Sequence, residues 1–146
     1  MSADSISVVV VENQPLMLTA LSTALSVAGM NVLAEVSQSG QVIQTVQRCQ
    51  PQMVLFSASG IPDMERISVL RHEFPAVTIL ALVNGDYRGQ ERLALDFGAH
   101  AALSKTASRA KLVKMLKELL GQPEFKQTSM VGNPLLVRTP APSIYS

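Results

Sequence analysis

The strongest constraint on the fold is an alternation that runs through 120 residues of the chain. Short runs rich in β-branched and apolar residues are each followed by a stretch whose apolar residues recur at helical spacing. Ile6-Ser-Val-Val-Val-Val11 is too short for a helix and apolar on both faces, as a central parallel strand must be. Pro15 then suits the first turn of a helix, where a missing N–H costs nothing. Leu18, Leu21, Leu25 and Ala28 carry that helix to a glycine stop at Gly29. The pattern repeats with predicted strands at 31–36, 53–56, 77–83 and 101–103. Predicted helices follow at 40–49, around Ile67, Leu70 and Phe74, at 86–97 and at 108–120. Residues 57–63, rich in Ser, Gly and Pro, read as a loop.

Five strand-then-helix units joined by short connections imply a parallel sheet covered on both faces, because each right-handed crossover lays a helix on one side. The expected fold class is α/β, a flavodoxin-like, doubly wound five-stranded sheet. Chemistry in such sheets sits beyond the carboxyl ends of the strands. The positions to inspect are Glu12-Asn13, Ser57-Ala58, Val83-Asn84 and Ser104-Lys105. The expected division is one domain over residues 1–121, with an extended or disordered tail over 122–146. That tail holds Pro123, Pro134, Pro140 and Pro142.

Composition removes several classes of function. The chain has 146 residues, 47% hydrophobic, with a mean hydropathy of +0.25, so disorder throughout is excluded. Twelve basic and 11 acidic residues leave a net charge of +1, too little for a dedicated polyanion binder. A single cysteine, Cys49, excludes an internal disulfide framework and an all-cysteine zinc site. His72 and His100 are far apart in sequence and predict no metal site. No basic-then-apolar leader is seen, so the expected setting is cytoplasmic.

Charge is scarce and unevenly placed. Only 16% of residues are charged, against roughly 25% on average, and residues 1–62 hold just Asp4, Glu12, Glu35 and Arg48. No charge at all falls between Asn13 and Ala34. Polar residues and Pro15 interrupt that run well before the ~20 apolar residues of a membrane span. Its helix is expected to turn Thr19, Ser22, Thr23 and Ser26 outward, a candidate contact surface with no ionic deterrent. The last helix carries Arg109, Lys111, Lys114 and Lys117 around its leucines, which reads as a solvated face or as a docking surface for an acidic partner.

Taken in order, several segments carry a resemblance. They are Val8-Val-Val-Val-Glu-Asn-Gln-Pro15-Leu, Pro51-Gln-Met-Val-Leu-Phe, Phe74-Pro75-Ala-Val-Thr-Ile-Leu-Ala-Leu and Leu95-Asp-Phe-Gly98-Ala99-His-Ala-Ala-Leu-Ser-Lys105. Over roughly residues 5–120 the sequence resembles a bacterial response-regulator receiver domain with the CheY-like fold, nearest in pattern to the NarL/LuxR branch. The resemblance implies a phosphorylation pocket built from two acidic residues after the first strand, an acceptor aspartate ending the third, a Thr or Ser after the fourth and a lysine after the fifth. Those positions here hold Glu12 and Asn13, Ser57 (or Ala58, counting back from Pro62), Val83, and Lys105. The lysine is retained and the acidic pair is half retained; acceptor and switch are replaced. In-line phosphoryl transfer needs a nucleophile and cations on the equatorial oxygens, and Mg²⁺ wants several hard oxygen ligands.

The expectation is therefore a degenerate pseudo-receiver that binds no metal or cofactor and catalyses nothing. It would act in signal transduction or transcription control through a protein partner or a second copy of itself. Lys105 is expected to pair with Glu12 in place of the metal. A Glu12–Asp63 acid/base pair is disfavoured for want of a nucleophile or electrophile. The alternative is the regulatory half of a LuxR-type transcription regulator, which would meet nucleic acid only through a helix-turn-helix domain outside this chain. A flavin protein on the same fold would need a Ser/Thr/Gly-rich phosphate loop, which Glu12-Asn13-Gln14-Pro15 does not supply. Leu135-Leu136-Val137 in the tail is a further candidate contact.

Overall fold

The computed structural model describes residues 5–85 and 89–121. The tail over 122–146, with its Leu135-Leu136-Val137 triplet, lies outside the described residues. Five strands alternate with five helices: β1 (Ser7–Val11), α1 (Pro15–Val27), β2 (Asn31–Val36), α2 (Val42–Cys49), β3 (Met53–Ser57), α3 (Gly60–Glu73), β4 (Thr78–Val83), α4 (Gln90–Phe97), β5 (Ala101–Ser104) and α5 (Arg109–Gly121). All pairings are parallel, in the order β2-β1-β3-β4-β5. The α/β, doubly wound reading of the sequence is the fold observed.

Strand alternation sends successive side chains to two separate cores. Val9, Val11, Val54, Phe56, Ile79, Ala81 and Val83 face α2, α3 and α4, where Val46, Ile67, Leu70 and Ala94 meet them. Val8, Val10, Met53, Leu55, Leu80 and Leu82 face α1 and α5, against Leu21, Leu25, Leu112 and Leu116. This explains why β1, β3 and β4 read as unbroken apolar runs: in a sheet covered on both sides neither face of a central strand meets water.

Local signals set the helix ends. Pro15 begins α1, and Gly29, at φ +93°, turns the chain out of it toward β2. Ser108 begins α5, its hydroxyl accepting from the Lys111 N–H at 3.1 Å. Two expectations need correction. The loop expected over 57–63 shrinks to Ala58 and Ser59, because Ser57 closes β3 and α3 starts at Gly60 and runs 14 residues. Pro62 falls in the first turn, where its lack of an N–H is harmless, and the Asp63 carboxylate reaches back to accept from the Ser59 N–H at 2.9 Å. Residues that look like loop punctuation are helix-start signals here. The helix expected from Asp86 begins instead at Gln90, because Gly89 before it is a left-handed cap at φ +84°; residues 86–88 fall outside the described residues.

After β4 the chain passes very close to β5. A Cβ added at Gly85 would stand 2.9 Å from the Ser104 Cβ and overlap its hydroxyl. Gly85→Ala is expected to cost about 1–3 kcal/mol through this overlap, read as a lower urea midpoint with an unchanged slope.

Candidate functional site

The four strand ends chosen from the sequence meet at one edge of the sheet. Val11 and Phe56 are the last paired residues of β1 and β3, so Glu12 and Ser57 follow them side by side on adjacent strands. Val83 pairs with Ser104 across β4 and β5, and the Lys105 N–H donates to the Val83 carbonyl at 2.8 Å. The fold therefore brings Glu12, Ser57, Val83 and Lys105 to one end of three neighbouring connections. Asn13, next in sequence, is exposed at the rim. Ser57, not Ala58, closes β3. Ala58 is buried among the side chains facing α2–α4, its N–H donating to the Leu82 carbonyl at 2.9 Å.

Each member is held differently. Glu12 is only 1% exposed; its N–H donates to the Val36 carbonyl, and its Oε2 accepts from the Gln14 N–H at 2.9 Å. Its other oxygen, Oε1, is buried with no hydrogen-bond partner among the described residues. Ser57 is 8% exposed and its hydroxyl is likewise buried and unpartnered. Val83 is fully buried in the core facing α2–α4. Lys105 is half-buried, and its ammonium has no ion-pair partner among the described residues.

The expected Glu12–Lys105 ion pair is therefore not formed. One oxygen of the Glu12 carboxylate is engaged by the main chain entering α1, whose amides offer donors without the cost of immobilising a long lysine chain. Two buried oxygens left without donors are unusual in a folded interior, where such groups are nearly always satisfied. The strand end is thus polar but incompletely bonded. Asp63 serves α3 instead, bonding the Ser59 N–H and lying 3.5 Å from Arg66, away from any acid/base role with Glu12. Among the described residues no group of three His, Cys, Asp or Glu side chains is placed to hold a metal ion.

The two candidate contact faces fare differently. On α5, Arg109, Lys111, Lys114 and Lys117 are all exposed, as the leucine spacing predicts. On α1, Thr19, Thr23 and Ser26 are exposed, but Ser22 is 7% exposed with an unpartnered hydroxyl, so it does not belong to the outer face. It is one turn from Leu18 and Leu25, and the buried stripe of α1 is wide enough to include it. The outer face instead shows Leu16 and Val27, 87% and 81% exposed. His100 has a role that sequence reasoning missed. Its Nδ1 accepts from the Ile79 N–H at 3.0 Å while its own N–H donates to the Ile79 carbonyl, tying the turn before β5 to β4. Its place in the Gly98-Ala-His segment preceding a strand was the available signal.

A doubly wound parallel sheet with polar residues gathered beyond its strand ends defines the class, and the family follows from sequence. The response regulator receiver domain matches residues 8–117, and the chain belongs to that family. Solved structures with the same fold include the isolated receiver domain of RcsB from Salmonella enterica serovar Typhimurium in the presence of a phosphomimetic (TM-score 0.71, 19% identity, covering 80% of this chain and 89% of that one). A two-component response regulator of the LuxR family from Aurantimonas sp. SI85-9A1 is similar (TM-score 0.74, 18% identity, 84% and 94% covered). So is a CheY-like receiver domain protein from Methanospirillum hungatei JF-1 (TM-score 0.72, 16% identity, 82% and 97% covered). At these identities the likeness is one of fold. Comparison with curated proteins returns no match. No described helix is long and apolar enough to cross a membrane.

Proposed function

We propose that this receiver domain is a non-enzymatic, cytoplasmic signalling module that works without phosphorylation, through contact with a protein partner or a second copy of itself. The observation that carries this reading is the side chain ending β3. Where the family resemblance calls for an acceptor aspartate, the chain presents Ser57, with its hydroxyl buried and unbonded. An aliphatic hydroxyl is a poor nucleophile without a base, and among the described residues no histidine, lysine or carboxylate bonds to it. The switch position is occupied by Val83, which has no hydroxyl to bond a phosphoryl oxygen, and Asn13 removes one of the two carboxylates expected beside the metal. Contact would fall to the uncharged face of α1 and the basic row of α5.

The test is amide NMR with beryllofluoride and Mg²⁺, and separately with acetyl phosphate. The expected result is a spectrum without saturable changes at residues 57, 83 and 105. Saturable shifts there would overturn the proposal. A second reading is favoured by one comparison: the chain spans 61% of the RcsB chain in a structure of two RcsB dimers bound to two parallel DNAs. On that reading this is the regulatory half of a LuxR-type transcription regulator. The reading frame beyond codon 146 decides it, by encoding a helix-turn-helix or not.

A further inference from the structure

Between α1 and α5, at the carboxyl ends of β4 and β5, lies a cavity of about 310 Å³. This is the low end of the size range of small-ligand sites, roughly 300–1,000 Å³. Its walls are mainly apolar, with Met17 and Leu21 from α1, Leu103 from β5 and Leu112 from α5, and Ser104 among the polar residues on the lining. Two cations, Lys105 and Arg109, stand on the same lining, and no acidic residue does. Neither has an acidic partner among the described residues. Lys105 is half-buried, which keeps its stem against this lining without an ion pair among the described residues. An apolar chamber with two unopposed positive groups has the chemistry of a receptor for a compact amphiphilic anion.

We infer that this cavity binds a small carboxylate with an apolar body, the body lying among Met17, Leu21, Leu103 and Leu112 and the carboxylate meeting Lys105 and Arg109. The fork of Arg109 and the point charge of Lys105 suit the two oxygens of one carboxylate, and charge-assisted bonds of this kind are the stronger ones. A neutral ligand of the same shape would leave both cations unopposed, and a cationic one would be repelled. The Glu12 carboxylate does not line the chamber and is turned toward the Gln14 N–H, so it does not compete for that position. A bound carboxylate would touch α1, β5 and α5 together. It would therefore couple the strand end that holds Lys105 to both candidate contact faces, and would give a receiver without a phosphoryl group a chemical input. The binding site does not depend on the phosphorylation-independent reading; only this last consequence does.

The experiment is a titration of the full chain with octanoate, 1-octanol and octylammonium, followed by methyl NMR of Met17, Leu21, Leu103 and Leu112. Saturable octanoate shifts confined to those methyls are expected, with affinity about tenfold above octanol, the ratio that one charge-assisted bond supplies. Octylammonium should not saturate. Lys105→Ala and Arg109→Ala should each erase most of the preference for octanoate over octanol while leaving the octanol shifts in place. Ala107→Leu, which fills the chamber from its lining, should abolish both sets of shifts in a protein whose circular dichroism is unchanged. Absence of saturable octanoate shifts, equal affinity for octanol, or saturation by octylammonium would overturn the inference. Beryllofluoride shifts at residues 57, 83 and 105 would remove the phosphorylation-independent reading and leave the octanoate measurement standing.

Discussion

Replacing Ser57 by aspartate is expected to destabilise the metal-free protein by about 2–4 kcal/mol, because a carboxylate is placed in an almost fully buried position beside another. Glu12 and residue 57 follow paired positions on neighbouring strands, whose backbones lie about 4.8 Å apart. Glu12 keeps one buried oxygen already without a donor. Even with Lys105 drawn toward it, the strand end would then hold one carboxylate more than its cations. The further substitution Asn13→Asp adds a third carboxylate at the rim, in a set of hard oxygens that suits Mg²⁺. The double variant should thus regain in Mg²⁺ much of what it loses in EDTA, since a ligand bound by the folded state alone stabilises it. Urea unfolding of wild type, Ser57→Asp and the double variant, with and without Mg²⁺, gives the comparison. A wild-type midpoint that rises with Mg²⁺ as far as that of the double variant would show that the natural residues hold the ion unaided.

Phe56→Ala is expected to be the costliest single truncation, about 3–5 kcal/mol. Phe56 is fully buried, the largest side chain among the fully buried residues, and paired with Val11 on one side and Ala81 on the other. The central strands cannot close on a cavity there without shifting both neighbours, so relaxation recovers little. Phe56→Leu should cost less than half as much, whereas Leu16→Ala on the exposed start of α1 should stay within about 0.5 kcal/mol. Denaturant midpoints measure all three. A loss below 1 kcal/mol for Phe56→Ala would mean that this core is not packed as described.

The strands were legible because burial on both faces leaves an unmistakable mark: Val8 to Val11, Met53 to Phe56 and Ile79 to Val83 admit no other element of that length. Their order along the chain was enough to derive which residues share a strand end, and Glu12, Ser57, Val83 and Lys105 do share one. What the sequence hid was direction. Nothing in its spacing says that the Glu12 carboxylate turns toward the Gln14 N–H and not toward Lys105. Ser22 was hidden for a related reason. A serine among threonines reads as solvent-facing, yet the packing of α1 on β1 and β2 buries it. Gly60 and Pro62 misled because the same residue types end one element and begin another. The Asp63 bond that tells the two apart belongs to three dimensions.

The outward face of α1 carries no ionisable group from Pro15 to Val27, while α5 beside it carries four cations. The two surfaces therefore respond oppositely to electrolyte. Raising ionic strength from 0.1 to 1 M contracts the screening length from about 10 to 3 Å, which weakens any contact made through α5. The same change leaves nothing to screen on α1, and an excluded salt such as sulfate strengthens contacts through Leu16 and Val27. One small domain thus presents two neighbouring faces that a simple salt series tells apart.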